Sequence, residues 1–521
     1  MAVCFFVVLL LFLFCALRIL SIDLKDYDKK AREQTTLSIP VLAVRGSIVD
    51  KNGVAITNSK MQTIAAINPT KQAITTIKGV LDGEEAERVL NLLNNGKPAV
   101  CKLKKPVECD GITCINVPVR VTENTVAHHL IGYLDSNGHG ADGIEQAYDN
   151  LLSSRVDLSA EFQINGKGDV LLGAAPQFSG GTESLGNSVF LTLDINIQKK
   201  AEELSRGLKS GAVVIAECKT NKIRAMVSLP DFSPADVAAS LNAENSPFIN
   251  KALAAFNVGS AFKPCIAAMA IDTGLKDFTT DCKGYTEIEN RRFNCHNLSG
   301  HGLQTLSDAI KNSCNCYFYE LSDKMSSENM YKAAEYFSLG FKIKLAENLY
   351  SAAGNLPSPK SIESKSEKAN YAIGQGDIML SPVNMLCLYS AIANGGEYFL
   401  PSVVEKTTIN GEAFNYKTEK STKPISKNTA DIIKEALIKV VEDGTGTAAG
   451  SEHFKSAGKT ATAQTGRYDD TGKEITNSWF CGFFPADNPI YTVIVMSDGE
   501  YETSPAEVFK NISEYLIKET P

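Results

Sequence analysis

Three short motifs, placed in a fixed order along the chain, carry side chains suited to acyl transfer. Residues 260–263 read Ser-Ala-Phe-Lys, residues 313–315 read Ser-Cys-Asn, and residues 459–462 read Lys-Thr-Ala-Thr. A serine hydroxyl is a weak nucleophile until a neighbouring base takes its proton, and a neutral lysine amine can act as that base. Together the motifs offer a nucleophile, groups that handle its proton, and a strand that can bind a carboxylate.

The first motif is predicted to begin a helix. Pro264 suits the first turn, where a backbone amide has no intrahelical partner, and the apolar run that follows stops at Gly274. Ser260 then lies at a helix N-terminus, which favours developing negative charge. Lys263 shares the face of that hydroxyl, and desolvation would lower the pKa of its amine so that the neutral form takes the serine proton. The alternative is a chance occurrence, because a single S-x-x-K string is common.

The second motif follows a predicted helix over residues 306–311. Ser313 is a candidate relay that carries a proton between Lys263 and a leaving amine. Asn315 offers a side-chain amide that can hold Lys263 and bind a substrate carbonyl. The alternative is a polar turn between two helices, and the string alone does not exclude it.

The third motif is predicted to lie on a strand, where side chains alternate between two faces. Lys459 and Ala461 then share one face, and the hydroxyls of Thr460 and Thr462 share the other. The hydroxyls can bind a substrate carboxylate, Lys459 adds positive charge, and the strand edge can dock an extended peptide. A phosphate-binding loop is the rival interpretation, but it requires glycine at position 453, where this chain has His453.

The bulk composition limits the possible functions. A chain of 521 residues is too long for one core and predicts two or three domains. Its net charge of −8 argues against a nucleic-acid partner, which would require clustered basic residues. The six histidines show no metal-ligand spacing. Among the thirteen cysteines, Cys282 and Cys295 are candidates for one disulfide, with free thiols as the equal alternative.

The N-terminus is more apolar than the rest of the chain. Residues 2–17 contain no charged side chain, and three aliphatic residues extend the run past Arg18. About 20 apolar residues span a bilayer, so we predict an uncleaved transmembrane anchor over residues 1–22 and a stalk over residues 23–39. A cleaved signal peptide is the alternative, but we find neither a basic segment before the run nor a cleavage site. The basic residues follow the run, against the positive-inside rule, and a true start codon upstream would explain this.

Runs typical of strands and helices predict an α+β fold. The last helix is expected to begin at Ser504 with a capping box completed by Glu507, and its apolar residues recur at helical spacing. We predict an antiparallel sheet flanked by helices. Its predicted strands cover residues 211–215, 223–227, 454–464, 478–484 and 491–496.

With these motifs the chain resembles the class B penicillin-binding proteins, the monofunctional D,D-transpeptidases of the bacterial cell wall. The likeness extends beyond the three motifs and runs from about residue 40 to the end. Its other family-like strings lie at residues 45–53, 129–133, 143–145, 191–194, 225–230, 250–253, 301–302, 372–376 and 479–483.

The resemblance implies a penicillin-binding, serine β-lactamase-like transpeptidase domain over residues 186–521 and an N-terminal mixed pedestal (dimerisation-like) domain over residues 40–185. It implies that Ser260 attacks the D-alanyl-D-alanine end of a peptidoglycan stem peptide and that an amine of a neighbouring stem resolves the acyl-enzyme. The backbone amides of Ser260 and Thr462 would hold the oxyanion, and β-lactams would acylate the same serine. No metal and no organic cofactor is implied.

The resemblance also implies a location and partners. We expect a single-pass protein of the cell membrane with an extracytoplasmic catalytic domain, and a polytopic membrane glycosyltransferase as its partner in cell shape or division. Elongation, division and sporulation are left open. The functional alternatives are a D,D-carboxypeptidase or β-lactamase-type hydrolase, and an inactive scaffold or β-lactam sensor. One departure is Ala461, where the family usually has glycine, and we expect it to slow acylation by bulky β-lactams.

Overall fold

The computed structural model describes residues 2–23, 34–42, 44–122, 125–153, 157–181, 183–234, 236–241, 243–420 and 425–519. Its helices are α1 (Ala2–Asp23), α2 (Lys71–Lys78), α3 (Gly83–Asn94), α4 (His128–Ile131), α5 (Gly143–Ala147), α6 (Asp149–Leu152), α7 (Ile195–Leu204), α8 (Lys263–Asp272), α9 (Leu306–Lys311), α10 (Asn315–Asp323), α11 (Ser327–Tyr336), α12 (Lys365–Ala372), α13 (Pro382–Ala393), α14 (Lys427–Asp443) and α15 (Pro505–Glu519).

Its strands are β1 (Thr36–Leu42), β2 (Ser47–Val49), β3 (Lys60–Ile67), β4 (Ala99–Leu103), β5 (Ile112–Val119), β6 (Leu158–Gln163), β7 (Gln177–Ser179), β8 (Ser188–Leu191), β9 (Gly211–Glu217), β10 (Ile223–Leu229), β11 (Phe256–Asn257), β12 (Thr280–Cys282), β13 (Tyr285–Ile288), β14 (Arg291–Asn294), β15 (Gly302–Gln304), β16 (Lys344–Ala346), β17 (Leu349–Tyr350), β18 (Met379–Leu380), β19 (Val404–Ile409), β20 (Glu412–Asn415), β21 (Ala457–Tyr468), β22 (Glu474–Phe484) and β23 (Tyr491–Asp498).

The predicted anchor falls on α1. Within the described ranges, no helix combines the length and the apolar character that a membrane crossing requires. Most of the predicted stalk lies outside the described residues. Its last part, from Thr36, is the start of β1, which pairs antiparallel with β6.

The chain divides into two compact units. The smaller unit comprises Met1–Gly46, Asn58–Thr122 and Leu152–Gly186, and the larger comprises Ser47–Thr57, Glu123–Leu151 and Asn187–Pro521. Residues 47–57 and 123–151, which the sequence assigned to the pedestal, therefore cluster with the larger unit. For the first segment the cause is a non-local pairing that no local pattern reveals, since β2 runs parallel to β8.

The smaller unit contains two three-stranded antiparallel sheets, in the orders β1-β6-β7 and β4-β3-β5. Helices α2 and α3 cover the second sheet, and their buried side chains Ile77 and Val89 join a core with Ile67 and Leu103. Thr70 caps α2, because its side chain accepts a hydrogen bond from the amide of Ala73.

The larger unit is built on a five-stranded antiparallel sheet in the order β10-β9-β23-β22-β21. All five strands were predicted, and each extends beyond its predicted range by two to four residues at one end, while β21 begins three residues later than predicted. Thr492 and Val493 are neighbours on β23 and so point to opposite faces. Thr492 accepts a hydrogen bond from Ser390 of α13, whereas Val493 packs in one core with α15. The sheet therefore has a helix on each face, which confirms the predicted α+β architecture.

The final helix forms as predicted. The Ser504 amide donates to the Glu507 carboxylate at 2.9 Å, and the Glu507 amide donates back to the Ser504 hydroxyl at 3.3 Å. This reciprocal pair is a capping box. Val508, Ile512 and Leu516 of α15 are buried against the sheet.

Candidate active site

The segment that carries Ser260 is a 3-10 turn, Gly259–Phe262, which leads directly into α8. Pro264 lies in the first turn of that helix, as predicted. Gly259 has φ +53°, and a Cβ at this position would lie 3.2 Å from the Cβ of Ala463. The Gly259 amide donates to the carbonyl of Gly374 at 3.0 Å. The turn is thus held closely between β21 and the loop that follows α12.

Lys263 is fully buried, and its amine is enclosed by hydrogen-bond acceptors. Nζ donates to the Ser313 carbonyl at 2.8 Å and to Asn315 Oδ1 at 2.7 Å, and it lies 3.4 Å from the Ser313 hydroxyl. The amine also lies 5.3 Å from the ring centroid of Phe318. Burial lowers the pKa of Lys263 to about 8. A useful fraction of the amine is therefore neutral near physiological pH.

Ser313 occupies the turn between α9 and α10. Its φ is +53°, an uncommon conformation for a residue other than glycine. The Cys314 amide donates to the carbonyl of Ala309 at 2.9 Å and fixes the turn, while Asn315 is the first residue of α10. This geometry directs both the Ser313 hydroxyl and the Asn315 amide oxygen to the amine of Lys263.

The third motif lies on β21, the terminal strand of the sheet, with the predicted alternation of its side chains. Lys459 and Ala461 are buried, whereas Thr462 is exposed and Thr460 half-buried. Lys459 differs from expectation, because its amine is fully buried and donates to the carbonyl of Thr460 at 3.0 Å. Burial and the nearby charge of Lys263 hold the pKa of Lys459 well below its usual range. The sequence could not reveal this, since alternation assigns a face to a side chain but not its depth.

The three motifs meet at one pocket of about 260 Å³. The pocket does not include Lys263 or Lys459, which are buried. Its lining residues are Ser260, His296, Ser313, Asn315, Ile373, Gln375, Thr445, Thr460, Ala461 and Thr462.

Some pocket residues were not identified from the sequence. Gln375 and Ile373 fall within a family-like string, but the position of neither was assigned to the site. Thr445 accepts a hydrogen bond from the Thr460 hydroxyl at 3.0 Å, and His296 projects from the loop after β14. No local pattern singles out these two residues, because their place depends on contacts between distant segments.

Beside this pocket, four potential metal ligands converge. The ligand atoms of Cys282, Cys295, His301 and Cys314 all lie within 4.8 Å of one another. His301 Nδ1 is 3.5 Å from the sulfur of Cys282 and 3.6 Å from that of Cys295. Tetrahedral zinc, with bonds of about 2.3 Å to sulfur and about 2.0 Å to nitrogen, requires similar separations between its ligands.

Hydrogen bonding within the cluster shifts its thiols in opposite directions, because it lowers the pKa of Cys295 and raises the pKa of Cys314. Hydrogen bonds from Cys314 and Cys316 lower the pKa of the Cys295 thiol, which favours the thiolate. Burial lowers the pKa of His301, which favours the neutral imidazole that metals bind. No metal site was expected from the sequence, and this cluster is a candidate for one. Its ligands come from separate segments, so histidine spacing could not identify it.

The candidate disulfide between Cys282 and Cys295 is not formed. Both cysteines are buried free thiols, and both contact His301. The cluster and the second motif are in direct contact. Cys314 belongs to both, and the backbone amide of Asn315 donates to the sulfur of Cys295 at 3.4 Å.

Comparison with known proteins identifies the class. A family model described as the penicillin binding protein transpeptidase domain matches residues 211–514, more than half of the chain. The protein belongs to the penicillin-binding protein transpeptidase family. The predicted relationship to class B penicillin-binding proteins and the predicted class of enzyme, a serine-type transpeptidase, are confirmed by this match and by the names of its relatives.

Several curated proteins are similar over much of their length. Stage V sporulation protein D of Bacillus subtilis is 28% identical, over 90% of this chain and 76% of that protein. Penicillin-binding protein PbpB of Mycobacterium tuberculosis is 27% identical, over 91% and 78%. The peptidoglycan D,D-transpeptidase MrdA of Acinetobacter baumannii is 26% identical, over 74% of this chain and 61% of that protein.

Solved structures share the fold. The D,D-transpeptidase domain of a peptidoglycan glycosyltransferase from Eggerthella lenta has a TM-score of 0.67 and 26% identity, and the match covers 92% of this chain and 99% of that one. Penicillin-binding protein PBP2 from Helicobacter pylori, solved in complex with MreC, also has a TM-score of 0.67, with 93% of this chain and 99% of that one covered. Its 19% identity supports a shared fold only.

Proposed function

We propose that this protein is a D,D-transpeptidase that crosslinks peptidoglycan stem peptides through an acyl-enzyme on Ser260. The neutral amine of Lys263 takes the proton of the Ser260 hydroxyl, whose oxygen then bonds to the carbonyl carbon of the penultimate D-alanine. The backbone amides of Ser260 and Thr462 hold the resulting oxyanion. The carbon–nitrogen bond to the terminal D-alanine breaks, and the leaving amine receives its proton through Ser313.

The second half of the reaction reverses these roles. The amine of a neighbouring stem attacks the ester carbonyl, gives a proton to Lys263, and forms an amide as the ester bond breaks. The Ser260 oxygen regains a proton, so the enzyme returns to its starting state. Asn315 holds Lys263 and offers its amide group to the substrate, while Thr460 and Thr462 bind the terminal carboxylate.

One observation carries the proposal: the buried amine of Lys263 is shared between Ser313 and Asn315, at 2.8 Å from a carbonyl and 2.7 Å from an amide oxygen. A chance S-x-x-K string would not bring a desolvated lysine to a second motif 50 residues away. The buried position of Lys459 changes its proposed role. Lys459 does not line the pocket, and the two threonines make the direct contact with the carboxylate.

The hydrolase and scaffold alternatives are separated by one assay. One sample of the purified protein is incubated with a fluorescent penicillin, and a separate, untreated sample is incubated with a D-alanyl-D-alanine pentapeptide and an acceptor amine. We expect a long-lived adduct that is lost in Ser260→Ala, and a crosslinked peptide product. Rapid release of hydrolysed penicillin, or formation of the tetrapeptide without any crosslinked product, would indicate a hydrolase. Absence of any adduct would indicate a scaffold.

We further propose that Cys282, Cys295, His301 and Cys314 hold a structural zinc ion. Three thiolates and one imidazole form a typical closed zinc site, which stabilises a fold without taking part in chemistry. Cys314 lies between Ser313 and Asn315, so the ion would fix the turn that holds the amine of Lys263. The test is elemental analysis of the purified protein, which should give one zinc per chain.

We place the catalytic domain on the outer side of the cytoplasmic membrane, where peptidoglycan is crosslinked, and retain a membrane glycosyltransferase as the proposed partner. The apolar character of residues 2–17 supports membrane association. Protease treatment of intact spheroplasts tests this: degradation of the catalytic domain supports the proposal, and complete protection contradicts it.

A further inference from the structure

One pocket residue outside the three motifs, Gln375, carries an amide group that no neighbouring residue holds. Gln375 follows α12 and lines the catalytic pocket together with Ser260. Its side chain is half-buried, and within the described ranges nothing forms a hydrogen bond with its amide oxygen or nitrogen. A side-chain amide offers both an acceptor and a donor, so this group is available to a ligand in the pocket.

The end of α12 fixes the position of Gln375. The amide of Gly374 donates to the carbonyl of Tyr371, and the amide of Gln375 donates to the carbonyl of Asn370, both at 3.0 Å. With Gly374 at φ +72°, these two bonds form a Schellman motif. The residue in the place of Gln375 frequently makes an apolar contact with the helix in this motif. An amide at this place points to a role other than ending the helix.

The loop that carries Gln375 contacts the nucleophile turn on the side away from β21. Gly259, next to Ser260, donates to the Gly374 carbonyl at 3.0 Å. No side chain fits at Gly374, because a Cβ there would overlap the carbonyl of Gly259. Gly259 also lies against Ala463 of β21. The turn is therefore held between two walls, and a donor peptide paired with β21 leaves the wall with Gln375 to the acceptor.

The pocket offers no carboxylate to activate water, since none of the described residues that line it is aspartate or glutamate. A carboxylate beside an ester can take a proton from water, whereas an amide oxygen accepts a hydrogen bond without taking the proton. An imidazole in the lining belongs to His296, and its Nδ1 lies 3.9 Å from the sulfur of Cys295, one of the four potential metal ligands. Gln375 can thus hold an attacking amine without activating water.

We propose that Gln375 binds the acceptor amine and so favours transfer over hydrolysis of the acyl-enzyme. A neutral primary amine has two N–H groups and one lone pair. One N–H donates to the amide oxygen of Gln375, which directs the lone pair to the ester carbon on Ser260. As the carbon–nitrogen bond forms, the other proton passes to neutral Lys263. The ester bond then breaks, and the Ser260 oxygen regains a proton from that lysine. The inference rests on the proposed transpeptidase function and adds a residue that distinguishes an amine from water.

Two substitutions of similar length test this role. Gln375→Met removes the amide group, and Gln375→Glu replaces it with a carboxylate. The donor is a D-alanyl-D-alanine pentapeptide with its own amines acetylated, and the acceptor is Nα-acetyl-lysine amide. The first measurement is the ratio of crosslinked to hydrolysed product. Both products form from one acyl-enzyme, so this ratio does not depend on the rate of acylation. The second measurement is the lifetime of the benzylpenicillin adduct without acceptor.

Gln375→Met should lower the product ratio about fivefold, which is the effect of one neutral hydrogen bond. Gln375→Glu should shorten the lifetime of the penicillin adduct at least about tenfold, because a general base beside the ester accelerates attack by water. Gln72→Met and Gln72→Glu are the matched controls, since Gln72 is exposed on α2 of the smaller unit and does not line the pocket. They should keep the wild-type ratio and lifetime. Fluorescence of Trp479, the only tryptophan in the chain, checks that each variant is folded.

An unchanged product ratio in Gln375→Met would overturn the inference, and so would equal adduct lifetimes in Gln375→Glu and the wild-type protein. Failure of the transpeptidase proposal has a different signature, because the wild-type protein would then form neither an adduct with fluorescent penicillin nor a crosslinked product. A wild-type protein that forms both, with the same product ratio in Gln375→Met, refutes the role of Gln375 alone.

Discussion

The amide oxygen of Asn315 accepts a hydrogen bond from the buried amine of Lys263 at 2.7 Å. This contact joins the helix that follows Ser260 to the turn that carries Ser313. The lysine amine of the first motif is therefore held by oxygens of the second motif, 50 residues further along the chain. Burial would leave an isolated ammonium unsolvated, and the surrounding oxygens offset part of that penalty. The cost of burial exceeds this compensation, so the pKa of Lys263 is lowered to about 8.

The pH dependence of acylation follows from this pKa. Lys263 acts as a base only when neutral, and its neutral fraction falls about tenfold for each pH unit below the pKa. We expect the second-order rate constant for acylation by benzylpenicillin to rise from pH 6 to about 8 and then to level off. Stopped-flow measurements across this range check the profile. A rate that falls as pH increases through 8 would contradict the role of Lys263.

Replacing Asn315 with aspartate should shift that profile. A carboxylate in contact with the Lys263 amine stabilises its ammonium form and raises the pKa of the lysine. We expect Asn315→Asp to slow acylation at pH 7 by about tenfold or more and to move the rise in rate to higher pH. Asn315→Ala, which removes the hydrogen bond without adding charge, is the matched control. Identical pH profiles for Asn315→Asp and the wild-type protein would refute the electrostatic account.

Ala461 is expected to restrict bulky β-lactams. It is 7% exposed, lies on β21 and lines the pocket, so its methyl group narrows the approach of a ligand to the strand. We expect Ala461→Gly to accelerate acylation by a cephalosporin with a large side chain several-fold, and to change acylation by benzylpenicillin less. The comparison is of second-order acylation rate constants at one pH. Equal acceleration for both drugs, or none, would show that the methyl group is not a steric limit.

Removal of the proposed zinc ion should destabilise the turn between α9 and α10 that carries Ser313. Structural zinc contributes directly to folding free energy, so we expect a strong chelator to lower the midpoint of thermal unfolding and Cys295→Ala to abolish bound zinc by elemental analysis. Cys387→Ala is the matched control, because Cys387 is a buried thiol in α13 that does not belong to the cluster. A stoichiometric metal in Cys295→Ala, or its loss in Cys387→Ala, would contradict the assignment.

The local parts of this structure were predictable from the sequence. Proline in the first turn of α8, the alternation of side chains on β21 and the capping box at Ser504 each depend on neighbours a few residues apart. The resemblance to a known family supplied the domain ranges and the expectation that the site residues act in one reaction.

The non-local parts were not predictable in the same way. The parallel pairing of β2 with β8 joins residues 47–49 to residues 188–190, and neither segment signals the other. The depth of Lys459 depends on packing that a strand pattern does not contain. The metal-ligand cluster lies within residues 282–314 but combines positions from separate strands and turns, so its thiols looked like candidates for a disulfide or for simple burial.

Ser260 is the proposed nucleophile, so a β-lactam should acylate its hydroxyl. The most direct measurement is mass spectrometry of the protein after incubation with benzylpenicillin, followed by proteolysis to locate the adduct. We expect one penicilloyl group per chain, on the peptide that contains Ser260, and none in Ser260→Ala. An adduct on another residue, or an unmodified Ser260 in folded protein, would contradict it.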